Sequence, residues 1–178
     1  MSAYQIAVPG VIGFNGAGGA ASATQSATIV PVGYRANGYD TALGRGEFIY
    51  AQNSNVASQG QFVHIINGSA VLLAAANSTK GNPIGVVAAG WTTTGTGQYG
   101  WVQVQGYCDY AQGTNSSIAA DQQLYIAAGT AGYLVTNVVT GNRVRGVVCP
   151  VSYTSSQSAA LSVFLNYPEI VGVADSRS

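Results

Sequence analysis

Tyr99-Gly100-Trp101-Val102-Gln103-Val104-Gln105-Gly106 carries the clearest alternation in the chain. Val102 and Val104 fall on one face of an extended segment, and Trp101, Gln103 and Gln105 fall on the other. A period of two with β-branched and aromatic residues is the pattern of a strand. Short segments of the same kind recur on both sides of it. Upstream lie 47–52, 61–66 (ending in the turn signal Asn67-Gly68), 70–76 and 84–89; downstream lie 123–127, 133–136, 143–149 and 159–165. Turn residues separate them, and no stretch has the stripe of a long amphipathic helix. The expected fold is all-β, a small β-barrel or a jelly-roll-like β-sandwich. So many short strands need closure or a partner chain to cover their edges.

Composition agrees. The 178 residues include 24 Gly, and 47% of the chain is hydrophobic. Val, Ile, Thr and Tyr suit a pleated surface, whereas Gly disfavours helix. Charged residues are only 7%, six Lys+Arg against six Asp+Glu, where a typical soluble domain has ~25%. A chain this poor in acids, bases and ligands reads as built to pack and assemble, and no enzymatic role is expected. With zero net charge it has no cationic footprint for nucleic acid. No apolar run approaches the ~20 residues of a membrane span, and the opening residues lack the features of a secretory leader. Cys108 and Cys149 read as free, buried thiols in a protein made in a cytoplasm.

Residues 1–43 differ from the rest. Val8-Pro9-Gly10 and Val30-Pro31-Val32 bracket the tract Gly16-Ala17-Gly18-Gly19-Ala20-Ala21-Ser22-Ala23, which has few large apolar groups and no sustained period. Such a tract cannot offset its own ordering entropy. It reads as an extended N-terminal arm that gains order by lying on something else, with a β-domain over 44–178.

Candidate chemistry is sparse. Gly16-Ala17-Gly18-Gly19-Ala20-Ala21 fits a phosphate-cradling spacing but lacks the strand before it and the helix after it. His64 is the single histidine and has no neighbouring ligand set, so a structural role is expected. The carboxylates Asp40, Glu47, Asp109, Asp121, Glu169 and Asp175 are scattered, although Arg143 and Arg145 share a strand face and could meet one across the sheet. No cofactor, metal or catalytic set is expected. The aromatics Trp91, Tyr99, Trp101, Tyr107 and Tyr110 cluster in sequence. They are the candidate site, either core and subunit-contact residues or a surface for stacking on a glycan.

Five further phrases carry a resemblance. Gly46-Glu47-Phe48-Ile49-Tyr50, Thr79-Lys80-Gly81-Asn82-Pro83-Ile84-Gly85-Val86, the run from Gly97 to Gly106, Gln123-Leu124-Tyr125-Ile126 and Val144-Arg145-Gly146-Val147-Val148 are similar in wording and order to the head decoration (cement) proteins of tailed bacteriophages. The resemblance spans about residues 44–151 and includes no catalytic signature. It implies a structural protein on the outer capsid surface of the virion, commonly a homotrimer, whose partner is the major capsid protein. The arm would then be a clasp on the capsid or a neighbour. The very low charge and the long small-residue arm depart from the family pattern. They leave open a carbohydrate- or receptor-binding module of a fibre or spike.

Overall fold

The strand quoted first is the longest of the eleven found among the described residues and forms the seam on which the fold closes. In a computed structural model, residues 4–7, 30–74, 81–91, 98–114, 117–136, 143–154 and 160–171 are described. The small-residue tract at 16–23, with its phosphate-like spacing, lies outside them. The strands are β1 (Gln5–Ala7), β2 (Arg35–Asp40), β3 (Gly44–Asn53), β4 (Phe62–Ile66), β5 (Ser69–Leu72), β6 (Ile84–Val87), β7 (Tyr99–Ala111), β8 (Leu124–Ile126), β9 (Leu134–Val135), β10 (Arg143–Val148) and β11 (Leu161–Val171). No helix is present among the described residues, so none is long and apolar enough to cross a membrane.

All eleven strands belong to one sheet, ordered β1-β2-β3-β5-β4-β6-β7-β11-β10-β8-β9, and β3 also pairs with β7. That extra pairing bends the middle of the sheet into a ring, β3-β5-β4-β6-β7 and back to β3. The seam is antiparallel from Gly46↔Gly106 to Gln52↔Tyr99, while the parallel β3–β5 contact has only two residue pairs. The fold is thus all-β with a partly closed barrel at its centre. Beyond the ring the long strands carry on: β3 takes β2 and β1 on its free edge, and β7 takes β11, then β10, β8 and β9.

Strand alternation divides the interior into three cores. Inside the ring pack Ile49, Ala51, Val63, Ile65, Ala70, Val87, Val102 and Val104, with Trp91 and Ala57 among them. On the outer side of β3 and β7, Phe48, Tyr50 and Trp101 are covered by Tyr4, Ile6, Val30 and Ala36. On the outer side of β4 and β6, Phe62, Ile84 and Val86 meet Val144, Val147, Leu161, Val163 and Leu165 from β10 and β11. Most of the ring is therefore covered on both faces: all four residues of β6 and four of the five of β4 are buried, while β5 buries only Ala70. A sheet buried on both sides has little room for charge, which accounts for the 7%.

Of the segment expected as an arm that gains order by lying on something else, residues 4–7 and 30–43 are described, and they contribute to this body. The 43/44 boundary falls at the β2–β3 hairpin, where Asp40 Oδ1 accepts from the backbone N–H groups of Ala42 and Leu43 at 2.7 and 2.9 Å. β2 pairs with β3 from Arg35↔Ile49 to Asp40↔Gly44, and the Tyr4 ring meets Phe48 edge-on at 5.1 Å. What residues 4–7 and 30–43 lie on is this chain's own sheet. The physical reason is that Phe48, Tyr50 and Trp101 stand on the outer face of the seam and need a cover.

Candidate functional site

The five aromatics between 91 and 110 do not line one surface. Trp91 is buried inside the ring, where its backbone bridges Ala57 through bonds of 2.6 and 3.3 Å. Trp101 is buried on the opposite side of β7, tilted against Tyr50 at 4.9 Å, and Tyr99 stacks on the same tyrosine at 6.0 Å. Tyr110, half-buried, donates its hydroxyl to Gln103 Oε1 at 2.7 Å. Gln103 in turn donates to the carbonyls of Tyr107 at 2.9 Å and Gln105 at 3.3 Å, and Tyr4 donates to the Tyr107 carbonyl at 2.7 Å. This network satisfies the fully buried side-chain amide of Gln103. Tyr107 alone points outward, edge-on to Phe164 at 4.9 Å.

The other candidate groups are quiet. His64 is buried, neither ring nitrogen has a hydrogen-bond partner among the described residues, and desolvation lowers its pKa. Burial pushes the Cys108 thiol up to about 12 and the Cys149 thiol up to about 11. Burial likewise raises Tyr4 to about 12 and holds Tyr110 well above its ordinary value. Near neutral pH both thiols and both tyrosines are therefore protonated, and the His64 imidazole is uncharged. Among the described residues no three His, Cys, Asp or Glu side chains converge as metal ligands.

Charge gathers at one place. Between β10 and β11 the register runs Arg145↔Glu169 and then Val147↔Leu165, so β11 carries two extra residues across from Gly146. The surplus is accommodated at Asn166-Tyr167-Pro168, where Tyr167 takes φ 46°. A bulky side chain in that region costs roughly 1–2 kcal/mol, and bulges commonly re-aim side chains in this way. Gly146 (φ 79°) faces the bulge: a Cβ there would lie 2.5 Å from the Asn166 carbonyl oxygen. A second bulge on the β3–β7 seam leaves Val104 as an extra residue between Glu47↔Gln105 and Phe48↔Gln103, and two residues on stands Gly106 (φ 99°), whose added Cβ would lie 2.4 Å from the Arg45 carbonyl oxygen.

The two bulges bring β2, β3 and β11 together around a cleft. Arg35 Nη1 pairs with Glu47 Oε1 at 2.6 Å, and Tyr167 donates its hydroxyl to Glu47 Oε2 at 2.8 Å. The Arg35 guanidinium also sits 5.8 Å from the Tyr167 ring centroid. On the far rim Arg145 lies 3.7 Å from Glu169, whose backbone bridges Pro83. The cleft has a volume of about 160 Å³, floored by Ile84, Val104 and Pro168 and walled by Arg35, Asn82, Tyr167 and Glu169. Two cations face two anions, so the site is polar but close to neutral.

The sequence shows Glu47 and Glu169 only as scattered carboxylates and does not single out Arg35 or Tyr167, but the expectation that Arg145 meets a carboxylate across the sheet holds in its pairing with Glu169. The one local signal was Tyr167 before Pro168, since a residue preceding proline is kept from the right-handed helical region.

The chain matches no protein-family model, no curated protein and no solved structure. What the fold and site define is therefore a class: an all-β body, partly closed as a barrel, with a single described charged cleft at a double bulge.

Proposed function

We propose that this chain is a non-enzymatic structural protein of a phage particle. It binds the outer surface of an assembled icosahedral head as a homotrimer and stabilises the head by bridging major capsid protein subunits. The reading rests on the family resemblance of residues 44–151. The observation that supports it best is an apolar row exposed on the outer face of β7, β10 and β11. Val148 pairs with Phe164, and Phe164 pairs with Tyr107; the first two are 42% and 51% exposed. A row of this kind on a rigid all-β body suits a protein partner better than a small substrate.

The mechanism needs no chemistry. A protein that binds the assembled lattice and not the free subunit shifts the equilibrium toward the lattice by its differential affinity. Each contact can be weak when one trimer is held at several sites. Because the contact is apolar, ionic strength should affect binding little.

The test is co-sedimentation of the purified chain with expanded heads that lack it, counting copies per head. Saturation at a symmetry-related copy number, with no binding to free capsid subunits and with loss on Phe164→Asp, is the expected result. Absence of binding to heads, or equal binding to free subunits, overturns the proposal.

A further inference from the structure

We propose that the double-bulge cleft binds a neutral saccharide, one sugar ring at a time. This site is independent of the capsid-binding reading and differs from the 91–110 aromatics, whose tryptophans are buried. A pyranose offers an apolar C–H face and a rim of hydroxyls that both donate and accept. The cleft offers the counterpart. Tyr167 is 48% exposed and carries its ring on a bulge, clear of the sheet, with its tilt fixed by the hydroxyl bond to Glu47. Around it stand the planar polar groups of Arg35, Asn82 and Glu169, over the apolar floor of Ile84, Val104 and Pro168. The volume of about 160 Å³ is of the order of a single hexose-sized ring.

Charge selects among ligands. Arg35 is paired with Glu47 and Arg145 with Glu169, so among the described residues both arginines at the cleft already face a carboxylate that competes with a phosphate, sulfate or sialic acid. A carboxylate on the rim would repel such an anion. A ligand that is uncharged and rich in hydroxyls meets no such penalty. The platform is also pre-organised, because Tyr167 is held at both its backbone and its hydroxyl before any ligand arrives.

The test uses the full chain without capsids, so its failure leaves the capsid reading untouched. A printed array of neutral and anionic glycans identifies the probe, and titration of the best neutral saccharide by NMR gives its affinity. The expected result is binding of neutral glycans that is insensitive to salt. Tyr167→Ala should weaken it roughly tenfold or more, and Tyr167→Phe should keep most of it. Should Tyr167→Ala fail to fold, Glu169→Gln and Asn82→Ala replace it, each with loss of affinity expected at an unchanged melting temperature. Binding of no neutral glycan, salt-sensitive binding of anionic glycans alone, or affinity unchanged in folded cleft variants would each overturn the assignment.

Discussion

The Tyr167 hydroxyl donates a 2.8 Å hydrogen bond to the Glu47 carboxylate across 120 residues of chain. Glu47 is thereby shared between Tyr167 on β11 and Arg35 on β2, two strands that have no backbone ladder with each other. The contact ties together the two flanks that flare from the barrel seam. Arg35 is about half exposed, so the ion pair adds little stability by itself. Its effect is to set the orientation of the tyrosine ring and the charge balance of the cleft.

The two bulge glycines should be intolerant of any side chain. Gly146→Ala and Gly106→Ala each combine a left-handed backbone with a Cβ placed within 2.5 Å of a carbonyl oxygen. Each should lower stability by about 2 kcal/mol or more, read as the midpoint shift in urea unfolding. Gly129→Ala, where an added Cβ meets nothing within 4 Å, should change it by less than about 0.5 kcal/mol.

Removal of residues 1–43 should not leave an independent domain. It strips Tyr4, Ile6, Val30 and Ala36 from Phe48, Tyr50 and Trp101. Re-exposing three large aromatics costs about 1.5–3 kcal/mol each, against a total stability of roughly 5–15 kcal/mol. The truncated chain should elute as aggregate or lose its cooperative melt by circular dichroism. A sharp transition at the full-length temperature would show that the cover is dispensable.

His64 should make the protein acid-sensitive. Its folded pKa lies below the ordinary 6.5, so the unfolded chain takes up the proton first as pH falls. Its contribution is therefore full above about 6.5 and is lost from there down toward the folded value. His64→Leu also removes two buried nitrogens without described partners. That variant should be more stable by about 1 kcal/mol at neutral pH and should flatten the melting-temperature profile below about pH 6.5.

Both cysteines should be silent in the native state. With thiols raised to about 12 and 11 and no disulfide between them, an aromatic disulfide reagent should find neither at neutral pH and both after denaturation. Reductant should leave the melting temperature unchanged. A drop on reduction would reveal a disulfide.

From Gly44 onward the strands were legible because each is a local pattern of β-branched and aromatic residues between turn signals. Nine strands expected from 47 to 165 correspond to β3 through β11, with ends displaced by a few residues. β2 was not legible: Arg35-Ala36-Asn37-Gly38-Tyr39-Asp40 contains the Asn-Gly pair of a turn and buries only Ala36, Gly38 and Asp40. It is a strand because β3 offers a free edge and the Phe48 ring crowds the place where Gly38 has no Cβ.

Residue chemistry alone therefore settled the all-β class and the free thiols, since both follow from which side chains the chain carries and how they alternate. Tertiary structure alone decided that β3 closes on β7, that Trp91 and Trp101 go inside, and that Arg35, Glu47, Tyr167 and Glu169 meet. Those outcomes depend on pairing between strands far apart in the chain and on two bulges. A register shift of one residue leaves no mark in local sequence, yet it decides which side of the sheet every later side chain faces.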